Sequence, residues 1–229
     1  MAIRPRPRRA FRQPVNRPPG SGRFVDDILA ELVSRRFGLS AWMRFLGRSM
    51  ARSASQARIR RAAAAEVTVI HLAAAAGSLG WALSSWLLCM THLGLLGDRQ
   101  TLGWPDRLTL VRALLPALAP DSRWTAPLAL VTDFLDGRLA RRGGGSAFGE
   151  FADPIADGVF WSWYALRWEA NRWLRWVPIT LFGGSVAVIA VAYFARARTV
   201  DYPRPVAVRY ASGIMQIVLT LRAMRLVAR

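Results

Sequence analysis

Between Val67 and Gly97 the chain carries no Asp, Glu, Lys or Arg. About 20 apolar residues suffice to cross the hydrocarbon of a bilayer. This run therefore constrains the fold more than any other feature, and it predicts a membrane helix over roughly 67–91. Val177 to Ala195 is a second uncharged stretch of adequate length. Two further segments, roughly 149–168 and 206–224, have helical length but carry charge. The region 107–135 is apolar but interrupted by Pro116, Pro120, Asp121 and Pro127, and reads as two short tilted helices or one long broken one.

Composition agrees with a membrane chain. Hydrophobic residues make up 53%, yet the net charge is +18 and every one of the 32 basic residues is Arg. A soluble globule seldom combines the two; apolar blocks facing lipid with charge at the water boundary do. The planar Arg fork suits phosphate, so phospholipid headgroups, nucleotides and nucleic acid are all chemically open as partners. A general bias toward Arg gives the same count. Cys89 stands alone, which excludes an intrachain disulfide and a Cys-based zinc site. His71 and His92 flank the apolar block and read as packing or boundary residues rather than ligands. The Arg8–Arg9 pair is not followed by an apolar segment for tens of residues, so no secretory or twin-arginine signal is expected.

Four regions follow. Residues 1–22, rich in Arg and Pro, predict a disordered arm. Residues 23–65 predict basic amphipathic helices on an anionic membrane surface: Phe24, Val25, Ile28, Leu29, Leu32 and Val33 recur at helical spacing, as do Trp42, Phe45, Leu46 and Met50. A soluble helix covering a partner or another part of the chain is the plainer reading. Residues 66–103 form an extra transmembrane helix and linker, and 104–229 a membrane core. The expected fold is all-α, a polytopic bundle of about five to six spans. Arg138, Arg141 and Arg142, and then Arg196, Arg198, Arg204 and Arg209, cluster after apolar blocks. The positive-inside tendency puts both groups in the cytoplasm, along with residues 1–65 and their fifteen Arg against three acids. These placements conflict if 107–135 crosses twice and 67–91 only once.

Of the fourteen acidic residues, five fall between Asp133 and Asp157. Asp133 and Asp136, at i and i+3, share one side of a helix end. Asp153 and Asp157, at i and i+4, share a face of the next helix. Gly149, four residues before Asp153, continues that stripe without a side chain and lets another helix come close. Four facing carboxylates are costly in a membrane and mark a cavity with a function. Divalent cations would neutralise them, and all-oxygen ligation suits Mg²⁺ or Mn²⁺. The plainer reading is a water-facing loop whose acids pair with Arg138, Arg141 and Arg142. Glu150 fits neither shared face.

The segment resembles the motif of the CDP-alcohol phosphatidyltransferase family, Asp-x-x-Asp-Gly-x-x-Ala-Arg followed by Gly-x-x-x-Asp-x-x-x-Asp. The matching residues are Asp133, Asp136, Gly137, Ala140, Arg141, Gly149, Asp153 and Asp157. The spacer between Arg141 and Gly149 is one residue shorter than the family's, in a Gly-rich loop that can absorb the deletion. The resemblance implies that Asp133, Asp136 and Asp153 hold one metal, with Asp133, Asp153 and Asp157 near a second. Asp157 would be the general base for the attacking alcohol. Gly137, Arg141 and Ser146 would meet the CDP-lipid. The stretch Asp106-Arg107-Leu108-Thr109-Leu110-Val111-Arg112 is similar to the family's Leu-Thr-x-x-Arg helix entry, adding Thr109 and Arg112, although a plain helix start with an interfacial Arg looks the same. Arg209, Ser212 and Gln216 resemble a polar stripe that receives the acceptor's phosphate. The implied partners are CDP-diacylglycerol, a small or phosphorylated alcohol, the bilayer and a second copy of the chain, with no nucleic acid expected. Asp153-Pro154-Ile155-Ala156-Asp157 resembles the form common in phosphatidylglycerophosphate and cardiolipin synthases, a lean toward glycerol 3-phosphate. The implied location is the cell membrane, multi-pass, with a cytoplasmic active site.

Two other functions fit parts of the chain. A cation transporter could use the aspartates as an ion site, but it calls for paired repeats, and the sequence has none. An anchored protein could bind anionic lipid or nucleic acid through the Arg-rich arm, but that leaves the aspartates unexplained.

Overall fold

A computed structural model describes residues 21–199 and 206–227. Most of the expected disordered arm (1–20) and Arg204 lie outside the described residues, while Ser21 and Gly22 open the first helix. Among the described residues the chain is all-α, without a strand. The helices are α1 (Ser21–Ser34), α2 (Leu39–Ile59), α3 (Arg61–Ala75), α4 (Leu79–His92), α5 (Trp104–Leu118), α6 (Thr125–Leu139), α7 (Ala147–Trp168), α8 (Arg172–Arg196) and α9 (Val206–Val227). A 3₁₀ turn, Leu93–Leu96, extends α4, and a π-type turn, Ala140–Gly144, follows α6.

The charge-free run does not form the single helix expected over 67–91. It folds back on itself: α3 ends at Ala75 and α4 begins at Leu79. Ser78 takes an extended backbone and its hydroxyl accepts a hydrogen bond from the Trp81 amide (3.4 Å), starting the new helix. Gly77 makes the reversal possible, because a Cβ there would lie 1.8 Å from the Ala117 carbonyl oxygen. Together with its 3₁₀ extension, Leu79–Leu96 remains long and apolar enough to cross a membrane.

The 107–135 region resolves into the two-helix alternative. Pro105 sits in the first turn of α5, where its missing N–H costs nothing. The chain then turns through Pro120 and Asp121 before α6 begins. Central α5 packs against α3, α4, α6 and α7. Leu110 and Phe148 share one core with Val67, Cys89 and Leu93, and Leu114 and Ala117 share another with Ala74 and Ala82.

The outer helices behave differently. Only 6% of the apolar window of α8 is buried, although α8 is long and apolar enough to cross a membrane. A soluble protein would bury such a helix, so this exposure fits contact with lipid. Ile28, Leu29 and Leu32 of α1 are buried, and Asp26 accepts hydrogen bonds from the Thr199 amide (2.6 Å) and hydroxyl (2.8 Å) beyond the end of α8. Helix α1 thus packs on its own chain at the end of α8. On α2 the stripe Leu39, Trp42, Met43, Leu46 and Met50 is exposed.

Candidate active site

The site begins where α5 and α7 start. Asp106, fully buried in the first turn of α5, accepts hydrogen bonds from the Gly103 amide (2.9 Å) and the Ser146 hydroxyl (2.7 Å). Ser146 is the N-cap of α7 and in turn accepts from the Gly149 amide (2.9 Å). The two helix starts are therefore clasped by one carboxylate and one hydroxyl. Gly149 packs so closely that a Cβ would lie 2.6 Å from Asp106 Oδ1. Asp106 opens the stretch that resembles the family's helix entry but received no role from the sequence, since an acid in the first helical turn is ordinary capping chemistry. Its only signal was its position three residues after Gly103, a capping-box spacing.

Nearly two turns further along α5 lies the centre of the site. Arg112 has no solvent exposure at all. Its Nη1 donates to Asp136 Oδ2 (2.9 Å) and sits 3.5 Å from Asp133 Oδ1, both on α6. Its Nη2 pairs with Asp153 and its Nε lies 2.9 Å from Asp157 Oδ1, both on α7. One guanidinium therefore meets all four aspartates. The Thr109 hydroxyl donates to the Pro105 carbonyl (3.1 Å) and to Asp136 Oδ2 (3.3 Å). Arg112 thus lies buried among the aspartates and not at a water boundary.

The sequence-derived metal ligands divide into three and one. One oxygen from each of Asp133, Asp136 and Asp153 lies within 4.8 Å of the others. At that spacing two carboxylates repel by roughly 3 kcal/mol at an effective dielectric near 20. Asp157 stands apart from this trio and joins it through Arg112. Neither Asp157 Oδ1 nor Arg112 Nε has an aligned hydrogen bond, although both are buried. An all-oxygen trio beside an orphaned carboxylate oxygen fits a hard divalent cation. These residues therefore fit a metal.

The other expected contacts lie around this centre. Arg141, on the exposed turn after α6, brings Nη1 to 3.3 Å from where a Gly137 Cβ would stand, and Gly143 adopts φ 97° to end that turn. Asp157, Ser212 and Gln216 line a narrow cavity of about 40 Å³ between α7, α8 and α9. Arg209, the outer member of the stripe, is exposed and does not line it.

On the other flank, α4 and α7 both lean on α5 and leave a groove between them. Ring pairs close its ends: His92 stacks on Phe151 (3.9 Å) and Trp81 meets Trp163 edge-on (6.5 Å). The space between is about 390 Å³, bordered by Ser84 and Leu88 of α4, Thr109 and Ala113 of α5, and Ile155 of α7. Its polar groups are engaged internally. The Ser84 hydroxyl donates to the Gly80 carbonyl (2.8 Å), Trp81 Nε1 donates to the Ala113 carbonyl (2.8 Å), and Ser85 pairs with His71 (2.9 Å). What remains facing the space is apolar. Thr109 borders both the groove and Asp136.

Comparison with known families decides what such a site belongs to: the model of the CDP-alcohol phosphatidyltransferases matches residues 105–228. The chain belongs to that family. No curated protein and no solved structure matches it. Membership places the chain among the transferases of phospholipid synthesis, which move a phosphatidyl-type group from a CDP-linked alcohol to an acceptor alcohol. CDP-alcohol phosphatidyltransferases are membrane proteins and generally depend on divalent metal. The matched segment contains all four aspartates and Arg112, whereas α4, which walls the groove, precedes it.

Proposed function

We propose that this CDP-alcohol phosphatidyltransferase moves a phosphatidyl group from CDP-diacylglycerol to a small alcohol, releasing CMP. The observation that carries the reading is the convergence of four carboxylates from α6 and α7 on one buried cation. Asp133, Asp136 and Asp153, with Asp157 beside them, would hold Mg²⁺ or Mn²⁺, which would offset pyrophosphate charge and stabilise departing CMP. Asp157 borders the narrow cavity with Ser212 and Gln216, so an alcohol seated there presents its hydroxyl to a carboxylate. Asp157 takes that proton, the alcohol oxygen bonds to the lipid-linked phosphorus, and the bond to CMP breaks. Arg141, with Gly137 beneath it, is placed to grip a phosphate from the water side. Ser146 contributes by fixing the start of α7. Exposed Arg209 supplies positive charge on α9, the helix that also carries Ser212 and Gln216, which suits a phosphorylated acceptor such as glycerol 3-phosphate. The groove between α4 and α7 suits an acyl chain, and its size lies in the range of ligand pockets, about 300–1,000 Å³.

The reading extends to membrane topology. Contacts sort the helix ends into two sets. On the aspartate side, the Ala63 amide donates to the Gln100 carbonyl (2.8 Å), and Arg99 Nη2 to the Gly145 carbonyl (2.9 Å). On the other side, Gly77 touches Ala117, Arg167 pairs with Asp121 (2.7 Å), and Arg222 pairs with Glu169 (2.7 Å). These contacts support a reading in which helices α3 to α9 run alternately up and down as a multi-pass bundle. The α3–α4 hairpin makes an even number of passages, so Arg58, Arg60 and Arg61 share a side with Arg138, Arg141, Arg142, Arg196 and Arg198. On this reading the conflict left by a single 67–91 span does not arise, and the positive-inside tendency supports a cytoplasmic location for the shared side. The apolar stripe of α2 would rest on the bilayer at that face. The acting unit would be the homodimer that the resemblance implies.

The test is CMP release by purified full-length protein given CDP-diacylglycerol, Mn²⁺ and candidate alcohols. We expect release with at least one alcohol, loss on chelation and recovery on adding Mn²⁺ or Mg²⁺. No release with any alcohol overturns the proposal.

A further inference from the structure

We propose that Arg112 is the resident counter-ion of the aspartate cluster: its guanidinium holds the four carboxylates together without metal and yields them to incoming divalent ions. The inference rests on the metal reading above and concerns what the site does before metal arrives.

Three observations carry it. First, the placement is central rather than peripheral. Arg112 reaches two aspartates of α6 and two of α7 from α5, and its side chain is wholly buried. Without a cation there, the trio of carboxylate oxygens within 4.8 Å would oppose the packing of α6 and α7 on α5. Second, the charges do not balance. Four carboxylates against one guanidinium leave a deficit of positive charge, which still attracts divalent ions. Third, the guanidinium is over-committed. It has hydrogen bonds to Asp136 and Asp153, but its approach to Asp157 at 2.9 Å is not aligned, and Nε and Oδ1 are both left without a hydrogen bond. A strut built for permanence would satisfy its buried donors. This one leaves a contact that a better cation can take.

Two consequences follow. Ions that occupy the carboxylates compete with Arg112, so the wild-type protein binds them less tightly than the bare cluster would. Carboxylates engaged by metal also release guanidinium donors whose fork geometry suits a phosphate oxygen. Metal loading and capture of the anionic nucleotide are then linked through one side chain.

The experiment uses full-length protein in detergent micelles and two readouts besides turnover: Mn²⁺ affinity, from the spin-resonance signal of free Mn²⁺, and the thermal unfolding midpoint with and without Mn²⁺. Wild type, Arg112→Met, Arg112→Lys and Asp153→Asn are compared. We expect Arg112→Met to unfold at a lower temperature than wild type without metal. It should also bind Mn²⁺ about tenfold more tightly, within the usual span of coupling between sites, and gain more in midpoint when Mn²⁺ is added. Arg112→Lys, which keeps a charge but loses the fork, should fall between the two, and it carries the test if the Met variant cannot be purified. Mn²⁺ affinity in the variants equal to or weaker than wild type overturns the inference and leaves the metal reading standing. Wild type that binds Mn²⁺ no better than Asp153→Asn overturns both.

Discussion

Two ion clusters stand at opposite ends of this bundle, and they solve the same problem differently. At the end away from the aspartates, Arg222 of α9 meets Glu169 after α7 through two bonds of 2.7 Å, and the Asn171 amide donates to the same carboxylate (2.7 Å). One acid faces one base, and both carboxylate oxygens have a donor. At the aspartate end, one guanidinium faces four acids and two buried atoms go unsatisfied. A matched pair is architecture; a mismatched one asks for a ligand. The difference lies in stoichiometry rather than in residue type, since both are Arg–carboxylate contacts.

The comparison breaks most visibly in turnover. Asp157→Asn should lower the rate of CMP release by about 10²–10⁴-fold, the usual worth of a general base, while Glu169→Gln leaves that rate close to wild type. Equal losses in a CMP-release assay would erase the distinction. Next in size is Gly149→Ala, which places a methyl 2.6 Å from Asp106 Oδ1 where neither the carboxylate nor the helix start can give way easily. We expect destabilisation of about 1–3 kcal/mol, as for other overpacked sites, measured by chemical unfolding in micelles. A neutral result would mean that the clasp between α5 and α7 is loose.

The smallest effect belongs to the matched cluster. Glu169→Gln should cost about 1–2 kcal/mol, the range for hydrogen bonds to charged groups reduced for the partly exposed Arg222. Burial pushes the Glu169 carboxyl up, but the bonds from Arg222 and the Asn171 amide outweigh it and hold the folded pKa below the ordinary glutamate value. A lowered folded pKa adds stability above the unfolded value, and that share disappears as the pH falls through the folded value. Wild type should therefore lose more stability than Glu169→Gln on acidification below the glutamate range. Parallel unfolding profiles for the two would show that Glu169 adds nothing there.

The site was largely legible in the sequence, because helical spacing fixes which carboxylates share a face. Asp133 with Asp136, and Asp153 with Asp157, face one centre as their spacing required. Arg112 was visible through its place in the Leu-Thr-x-x-Arg resemblance, where a plain helix start with an interfacial Arg looks the same. Its burial depends on α6 and α7 closing over α5, which no local pattern records. Asp106 was hidden for a similar reason: capping explains an acid in a first turn, and only the arrival of Ser146 forty residues later makes it a cross-helix clasp. The hairpin of α3 and α4 was missed because length and lack of charge overrode the signal of Gly77 followed by Ser78. In a run with no charge at all, the turn has no polar flank to mark it.

The nearness of Gly77 to Ala117 bears on where this protein can be cut. Residues 105–228 bound a statistical likeness, but they do not bound a physical unit. Leu110, Leu114, Ala117 and Phe148 lie inside that interval, and their shelter comes from Val67, Ala74, Ala82 and Leu93 outside it. A recombinant piece trimmed to the matched interval would bare one flank of its innermost helix, and would be expected to aggregate rather than fold. The excisable module begins no later than Arg60, whose guanidinium grips the Gly97 carbonyl at the near end of the hairpin.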